Sequence, residues 1–434
     1  MPARPAVIPE ATATAKTSVR WKIFLLLLCL VSINYIDRAS LSIAMPLIGK
    51  EFAIAPAAQG LILSSFFWTY ALMQIPAGLL ADRFMPRVMI AAATTGWGLL
   101  QALGAFATSW PVLMLTRLGL GVAEAPIYPA GGKLNGLWLT PDERGRGAAL
   151  LDGGAPLGAA VGSLVIAWLI AMFQSWRAAF LIAGIGTMLC GAWAWHYIRN
   201  MPRQHPGVNE AEARHIETAH AREDALSHGA ASGNLTDFFR YRSVWCMCVG
   251  WLLLNTVFYG LLTWMPTYLY RAHGFDIEKL GSASFFIFLA GFVGELVGGL
   301  IADTWRARSS GPNLVFRTLF GVSALVATVS IFLVAYVDDP LGVVLLLAST
   351  LFFLRWCGMY WAIPSILAHR DRAGFLGGCM NLAGNIAGIA APLIVGAIVQ
   401  LTASYFLALM FFAAAGFGLL ACSLAIDYRH KLPV

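Results

Sequence analysis

Charged residues are scarce in this sequence. Only 12% of its 434 residues are Asp, Glu, Lys or Arg, whereas an ordinary soluble domain has about 25%. Hydrophobic residues make up 59% of the chain, and its mean hydropathy is +0.72. So few charges cannot cover a surface that faces water. The composition therefore excludes a soluble globular protein and indicates that much of the exterior faces lipid.

Patterns for catalysis and cofactor binding are also missing. The sequence has no Walker loop for the phosphates of ATP, and none of its eight histidines lies centrally in an apolar run. Seven cysteines lie in apolar runs without ligand-like histidines, which is typical of small core residues. The basic residues form no stripe for nucleic acid despite the net charge of +7. We therefore expect neither an enzyme nor a bound metal or cofactor.

Long apolar runs dominate what is present. Twelve of them are long enough to cross about 30 Å of hydrocarbon as helices that rise about 1.5 Å per residue. They lie at 21–47, 57–81, 88–107, 110–138, 147–172, 177–198, 243–270, 279–302, 314–336, 341–368, 375–401 and 403–427. Evenly spaced ten-residue strands are lacking, which argues against a barrel. The predicted fold class is an all-α integral membrane protein with twelve transmembrane helices.

One long polar segment divides the twelve runs into six and six. The stretches GLLADRFMPR (78–87) and GLIADTWRAR (299–308) follow the second and the eighth run, and this echo indicates duplication. We predict two pseudo-symmetric six-helix bundles with a substrate site between them. The predicted parts are an N-terminal tail (1–20), a first bundle (21–198), a linker that contains a short helix (199–242), a second bundle (243–428) and a C-terminal tail (429–434).

The basic residues predict the orientation of the chain. With twelve spans, twenty-one of the 29 Lys and Arg residues fall on the side of the termini, four on the opposite side and four within spans. Short basic loops stay in the cytoplasm, so we expect both termini there, in a plasma (inner) membrane.

Several stretches resemble one family of transporters. GLLADRFMPR resembles the loop signature of the major facilitator superfamily, and the six-plus-six layout is similar to it as well. Within that superfamily, NYIDRASLSIAMP, SSFFWTYALMQIPAGLLADR, RLGLGVAEAPIYP and WLTPDERGRG resemble the anion:cation symporters, and among them the sugar-acid carriers for galactonate, glucarate and hexuronates.

The resemblance implies a monomeric secondary transporter that imports an organic anion, such as a sugar acid, by proton symport with alternating access. The expected partners are the anion, the proton and the lipid bilayer. A carrier of aromatic or short-chain carboxylates and an anion exchanger remain alternatives. An exporter of drug-like cations is disfavoured because the spans contain arginines.

Four charged residues in the first bundle define the expected site: Asp37, Arg38, Arg117 and Glu124. Charges within the membrane are costly and usually mark a substrate or proton path. A guanidinium can meet the two oxygens of a carboxylate with two parallel N–H groups. The resemblance assigns the two acids to proton coupling and the two arginines to the anion or to gating.

A proton switch follows from this set of charges. While Asp37 is ionised it occupies an arginine, and protonation frees that arginine for the substrate carboxylate. Glu124, which we expect farther from the guanidinium, is a second proton site. A static pair of Asp37 with Arg117 that fixes helix register is the structural alternative.

Further polar residues in the spans suit the hydroxyl groups of a sugar acid. The substrate-binding candidates besides the arginines are Asn34, Tyr35, Tyr70, Gln74, Tyr259, Trp361, Asn381 and Asn385. The resemblance supports Trp361 near substrate, whereas helix–helix hydrogen bonding is the alternative for the asparagine pair. In the sugar-acid carriers a polar amide follows the glycine pair of span five, where this chain has Ala155.

The loops after spans two and eight supply gating candidates, in which acids and arginines hold neighbouring helix ends. They are Asp82, Arg83, Arg87 and Asp303. Thr304 replaces the second arginine of the signature, so we expect a weaker latch there. Three further charges within the apolar runs have no place in the family pattern and would pair with one another or lie near the cytoplasmic ends: Lys133, Glu295 and Arg355.

Overall fold

The computed structural model describes residues 16–226, 234–308, 311–368, 370–429 and 431–432, and all regular structure in this part of the chain is helical. The first half forms α1 (Val19–Glu51), α2 (Pro56–Arg83), α3 (Pro86–Gly104), α4 (Trp110–Glu124), α5 (Ile127–Trp138), α6 (Arg144–Phe173) and α7 (Trp176–Tyr197). The polar segment holds α8 (Glu210–Leu226) and 3₁₀ turns at Pro202–Gln204 and Leu235–Arg240. The second half forms α9 (Arg242–Ala272), α10 (Ile277–Arg308), α11 (Pro312–Val334), α12 (Pro340–Leu354), α13 (Ile363–Leu367), α14 (Arg370–Thr402) and α15 (Phe406–Ala425).

The predicted all-α fold with twelve spanning segments is confirmed. Within the described residues, nine helical segments are long and apolar enough to cross a membrane. The remaining three segments are α2, α3 and the pair α4–α5. We call α1–α7 the N-lobe and α9–α15 the C-lobe, the side that carries α8 the linker side, and the opposite side the far side.

Two spans are interrupted. The fourth span breaks between α4 and α5 at Pro126, which lacks a backbone N–H and whose ring clashes with the preceding turn of a helix. The tenth span changes from α12 to a 3₁₀ stretch at Arg355–Ala362, and α13 follows with Pro364 in its first turn. A 3₁₀ stretch of this length is uncommon and often marks a functional position.

Small residues bring helices together within the N-lobe. Gly154, Gly158 and Gly162 lie one turn apart on α6, and a Cβ at each position would overlap an atom of α1. This spacing explains the glycine cluster of the fifth span, because a stripe of small residues lets two backbones approach closely in a membrane.

The two lobes contact each other on the far side. A Cβ at Gly60 of α2 would lie 2.5 Å from the carbonyl oxygen of Pro392 of α14. On the other flank, Gly281 of α10 lies against Ala167 and Ser163 of α6. In contrast, a Cβ at Gly78, in the linker-side half of α2, would meet none of the described atoms within 4 Å. The structure is therefore closed on the far side.

Helix α8 is attached to the N-lobe through a buried carboxylate. Glu212 is fully buried and accepts hydrogen bonds from Thr17 Oγ1 and from the backbone N–H groups of Val19 and Arg20. It also pairs with the guanidinium of Arg20 at 2.7 Å, and Arg20 in turn contacts Glu143 at 3.0 Å. A carboxylate on the first N–H groups of a helix satisfies donors that have no intrahelical partner.

The pKa of Glu143, which precedes α6, reflects this contact. Partial burial acts to raise the pKa, but hydrogen bonds from Arg20 and from the Thr140 backbone N–H outweigh burial and hold it below its ordinary value. The contact therefore stabilises the fold above the ordinary pKa of a glutamate, and this stabilisation is lost as the pH falls through the lowered pKa.

We expect Glu212→Ala to destabilise the protein by about 3–5 kcal/mol, because it leaves the start of α1 and part of the buried Arg20 guanidinium without their acceptor. Thermal unfolding of the purified protein in detergent measures this effect. The matched control is Glu210→Ala on the same helix, which removes exposed pairs with Arg203 and Arg214. Equal melting temperatures for the two variants would contradict a structural role for Glu212.

Candidate functional site

A cavity of about 240 Å³ lies between the two lobes. Its wall includes six of the ten predicted substrate-binding residues, which come from α1, α2, α9 and α14 and from the 3₁₀ stretch of the tenth span: Tyr35, Tyr70, Tyr259, Trp361, Asn381 and Asn385. Aromatic surfaces with a few convergent polar groups are the usual lining of a small-molecule site. The structure therefore brings together the tyrosines, the tryptophan and the amide pair that the sequence singled out.

The amides of the C-lobe face this cavity on one wall. Asn385 donates one N–H to the backbone oxygen of Asn381 at 3.1 Å, and Asn255 donates one to the backbone oxygen of Trp251 at 2.8 Å. These bonds orient the side chains and use one donor of each amide. A primary amide offers two donors and an acceptor, so further groups of each remain for the hydroxyl groups of a ligand. Trp361 packs edge-on against Trp251, with ring centroids 5.5 Å apart.

Arg38 pairs with Glu124 next to the cavity but outside its lining. The nitrogen Nη2 of Arg38 lies 3.1 Å from Oε2 of Glu124, and both side chains are almost inaccessible. The guanidinium carbon lies 4.5 Å from the centre of the Tyr35 ring and 4.9 Å from that of Tyr70. Cation–π contacts of this kind are strongest where water is excluded. The expectation that Glu124 lies away from the guanidinium is wrong, because the two helices meet at these side chains.

Arg117 and Asp37 are neighbours, but not as a simple ion pair. The nitrogen Nη1 of Arg117 donates to the backbone oxygen of Asp37 at 3.2 Å. The Asp37 carboxylate accepts a 3.4 Å hydrogen bond from Thr187 of α7 through Oδ2, and its Oδ1 is buried without a hydrogen-bond partner among the described residues. The side chain of Asp37 therefore points into the N-lobe and not toward the C-lobe.

The predicted charges do not share one wet pocket. Arg38 and Arg117 line a separate space of about 20 Å³. Tyr35 and Tyr70 line the larger cavity and also contact Arg38, so their rings stand between that guanidinium and the cavity. Glu124 is fully buried behind Arg38. The aromatic partition between these charges and the larger cavity could not be predicted from helical spacing.

Asn34 and Gln74 are the two remaining predicted substrate residues. Asn34 is fully buried, and both polar atoms of its amide lack a hydrogen-bond partner among the described residues. Gln74 is half-buried on α2, and its Nε2 is likewise unpaired within that part of the chain. Buried polar groups without partners are uncommon and are costly to maintain. Both amides therefore remain binding candidates although neither lines the larger cavity.

A third group of charges lies where the two lobes meet. Arg355, in the 3₁₀ stretch of the tenth span, contacts Glu295 of α10 at 2.6 Å, so for these two charges the structure favours pairing, one of the two alternatives left open by the sequence. Its second partner is Asp152 of α6, at 3.6 Å.

Lys133 lies outside this group of charges. Its Nζ donates to the backbone oxygen of Phe84 at the linker-side end of α2.

The sequence analysis missed Asp152. It precedes the glycine pair in LDGGAPLG, inside an apolar run of spanning length. An acid in such a position is a functional candidate by itself, so a full count of charges within the runs could have found it. Both Asp152 and Arg355 line the larger cavity, together with Ala155.

Comparison with known proteins identifies the family. The family described as Major Facilitator Superfamily matches residues 27–392. This chain belongs to the Major Facilitator Superfamily. It is 32% identical to the "Probable galactarate/D-glucarate transporter GudP" of Bacillus subtilis, over 93% of this chain and 90% of that protein. It is 30% identical to the "Probable sulfoacetate transporter SauU" of Cupriavidus necator, over 90% of each chain.

A solved structure is similar in fold. The crystal structure of a bacterial homologue of the human lysosomal transporter Spinster aligns with a TM-score of 0.72 at 18% identity, over 95% of both chains. These comparisons agree with the resemblance drawn from the sequence motifs, and they place the chain among transporters and not enzymes.

The gating candidates of this major facilitator protein are only partly visible. Arg87 donates to the backbone oxygen of Trp195 at 2.9 Å, and its guanidinium lies over the Trp195 ring. It therefore connects the start of α3 to the end of α7 within one lobe. Arg83 is exposed at the end of α2. The side chains of Asp82 and Asp303 lie outside the described residues, so their gating role stays a prediction.

Proposed function

We propose that the protein imports a hydroxylated organic acid, in particular a sugar acid such as an aldonate, aldarate or hexuronate, by proton symport. The observation that carries this proposal is the cavity between the lobes, in which tyrosines and amides surround a guanidinium. Hydroxyl groups need partners that both donate and accept, and a carboxylate needs a cation. The name of the GudP relative, a galactarate/D-glucarate transporter, supports the same class of substrate.

Proton coupling is proposed for Asp37 and Glu124. Both carboxylates are fully buried, and each has one oxygen without a hydrogen-bond partner among the described residues: Oδ1 of Asp37 and Oε1 of Glu124. A proton added to either oxygen breaks no existing hydrogen bond, and it removes a charge from an apolar environment. Protonation of Glu124 would also remove the counter-ion of Arg38, so the net charge of this buried pair would rise by one.

Alternating access is proposed as a rocking of the two lobes about the cavity. The contacts of α2 with α14 and of α6 with α10 that close the far side would separate, and the linker-side halves would approach. The side with α8 and both termini is assigned to the cytoplasm because it carries most of the basic residues. Asp82, Arg83 and Asp303 are proposed to hold the linker-side ends together in that second state.

Reconstitution into lipid vesicles tests the proposal. We expect labelled galactonate, galactarate or galacturonate to accumulate above the external concentration when the pH outside is lower than inside. A protonophore should reduce uptake to equilibration. Vesicles without protein are the background control. Gradient-independent uptake of all three acids would exclude symport, and the absence of any uptake would exclude this class of substrate.

A carrier of smaller or aromatic carboxylates is the second candidate. Ala155 lines the cavity where the sugar-acid carriers have an amide, and the SauU relative is named for sulfoacetate, a short acid. Fewer polar groups reduce the selectivity for a hydroxylated chain. Competition of unlabelled benzoate and sulfoacetate against labelled galactonate separates the two candidates, because only a small-acid carrier prefers the competitors.

A further inference from the structure

Arg355 is the guanidinium of the larger cavity. Among the described residues that line this cavity, it is the one basic side chain. The two arginines that the sequence analysis assigned to the anion lie behind the aromatic partition, and one of them already pairs with Glu124. A carboxylate that enters the cavity between the lobes therefore meets Arg355 and not Arg38 or Arg117.

The surroundings of Arg355 fix it in place. Both Nε and Nη2 donate to Oε2 of Glu295, at 3.2 and 2.6 Å. Glu295 in turn lies against Gly358, where a Cβ would come within 2.9 Å of its Oε1. The guanidinium also lies over the ring of Phe258, with its carbon 5.2 Å from the ring centre. Glu295, Gly358 and Phe258 belong to the same lobe as Arg355, so this support moves with it.

Asp152 approaches the same guanidinium from the other lobe. Its Oδ2 lies 3.6 Å from Nη2, which is close enough for charge attraction but too far for a hydrogen bond. About a quarter of the Asp152 side chain is exposed, whereas the Arg355 side chain is almost inaccessible. Asp152 thus makes a loose contact that bridges the two lobes at the cavity wall. The hydrogen bonds to Glu295 use Nε and Nη2 of Arg355 and not Nη1.

We propose that Arg355 binds the carboxylate of the transported acid, and that Asp152 is the internal group that occupies Arg355 across the lobes until the substrate displaces it. This inference rests on the proposed function. The hydroxylated tail of the acid then lies along the amides of Asn255, Asn381 and Asn385. Glu295 keeps its ion pair with Arg355 when the substrate binds, because this contact is shorter than that of Asp152 and lies within one lobe.

A consequence for the transport cycle follows from this arrangement. The substrate carboxylate and Asp152 compete for one cation, so binding the acid weakens a contact between the lobes. By linkage, whatever loosens that contact also strengthens binding of the acid. Arg355 would in this way connect recognition of the carboxylate to the movement of the lobes.

Isothermal titration of the purified protein in detergent with galactonate, galactarate and galacturonate tests the inference. We expect Asp152→Asn, which keeps the shape of the side chain but removes its charge, to tighten binding by about five- to tenfold. Arg355→Gln should weaken binding by about tenfold or more. In the Arg355→Gln background, the substitution Asp152→Asn should bring no further tightening. Arg355→Lys keeps the charge beside Glu295 and gives an intermediate affinity, so it replaces Arg355→Gln if that variant does not fold.

The control is Asp276→Asn, which removes an exposed acid on the far side that pairs with Lys279. Its affinity should equal that of the wild type. Unchanged or weaker binding by Asp152→Asn overturns the inference, and so does a tightening that persists without Arg355. Failure of the wild type to bind any of the three acids would contradict the proposed function itself. Wild-type binding that Asp152→Asn does not tighten would contradict only the role of Asp152 and Arg355, so the two failures are distinguishable.

Discussion

Glu124→Gln will abolish accumulation driven by a proton gradient, so that the internal substrate concentration only equals the external one. Glutamine keeps the shape of the side chain and can still accept a hydrogen bond from Arg38, but it cannot take up or release the proton. Exchange of internal for external substrate needs no net proton movement and should persist. Asp37→Asn should behave in the same way. Uptake and counterflow in proteoliposomes measure both quantities.

The control for these two variants is Glu51→Gln. Glu51 ends α1 and pairs with Arg177 in a partly exposed position, so it lies on the same helix as Asp37 but away from the buried pair. It should accumulate substrate like the wild type. Full accumulation by Glu124→Gln would remove that residue from proton coupling. Because a buried arginine that loses its counter-charge can destabilise a fold by about 3–5 kcal/mol, the variants must first be shown to be monodisperse.

Gly60→Ala will slow transport by about tenfold or more. The new Cβ would lie 2.5 Å from the carbonyl oxygen and 3.3 Å from the carbonyl carbon of Pro392. Both are backbone atoms of the opposite lobe, which cannot move aside as a flexible side chain can. Over-packing of this kind typically costs about 1–3 kcal/mol. The cost falls only on the state that is closed on the far side, so the equilibrium shifts toward the state open on that side.

Gly186→Ala, at an exposed position of α7, is the control. A Cβ at this position meets none of the described atoms within 4 Å, and alanine in a helix interior is favoured over glycine by about 0.5–1 kcal/mol. Its transport rate should match the wild type. Distances between spin labels on the far ends of α2 and α14 report the shift directly. Equal rates and equal distance distributions in the two variants would show that this contact does not limit the cycle.

The course of the chain through the membrane was predictable for a physical reason. Each span must satisfy its backbone hydrogen bonds internally and be apolar over some twenty residues, so the twelve runs are visible in the sequence. The glycine stripe of α6 was visible for the same reason, since close helix contacts need small residues. The polar segment between the halves was visible too, although its attachment through Glu212 was not.

The pairing of charges was not predictable. Spacing along a helix gives the depth and the face of a side chain, but not the neighbouring helix that this face meets. Arg38 therefore has Glu124 as its partner, although the sequence analysis placed Glu124 farther from the guanidinium. The position of Arg355 was hidden for another reason. It begins a 3₁₀ stretch with about three residues per turn, to which the 3.6-residue helical period does not apply.

The closure of the far side has a consequence for the response of the protein to its surroundings. Among its described contacts, glycines meet backbone oxygens, small side chains and the Phe67 ring, and the nearby hydrogen bond from the Ala57 N–H to Gln400 joins two neutral groups. Dissolved ions screen charges but leave van der Waals packing unchanged. The contact between the lobes on the far side should therefore be equally stable at low and at high ionic strength.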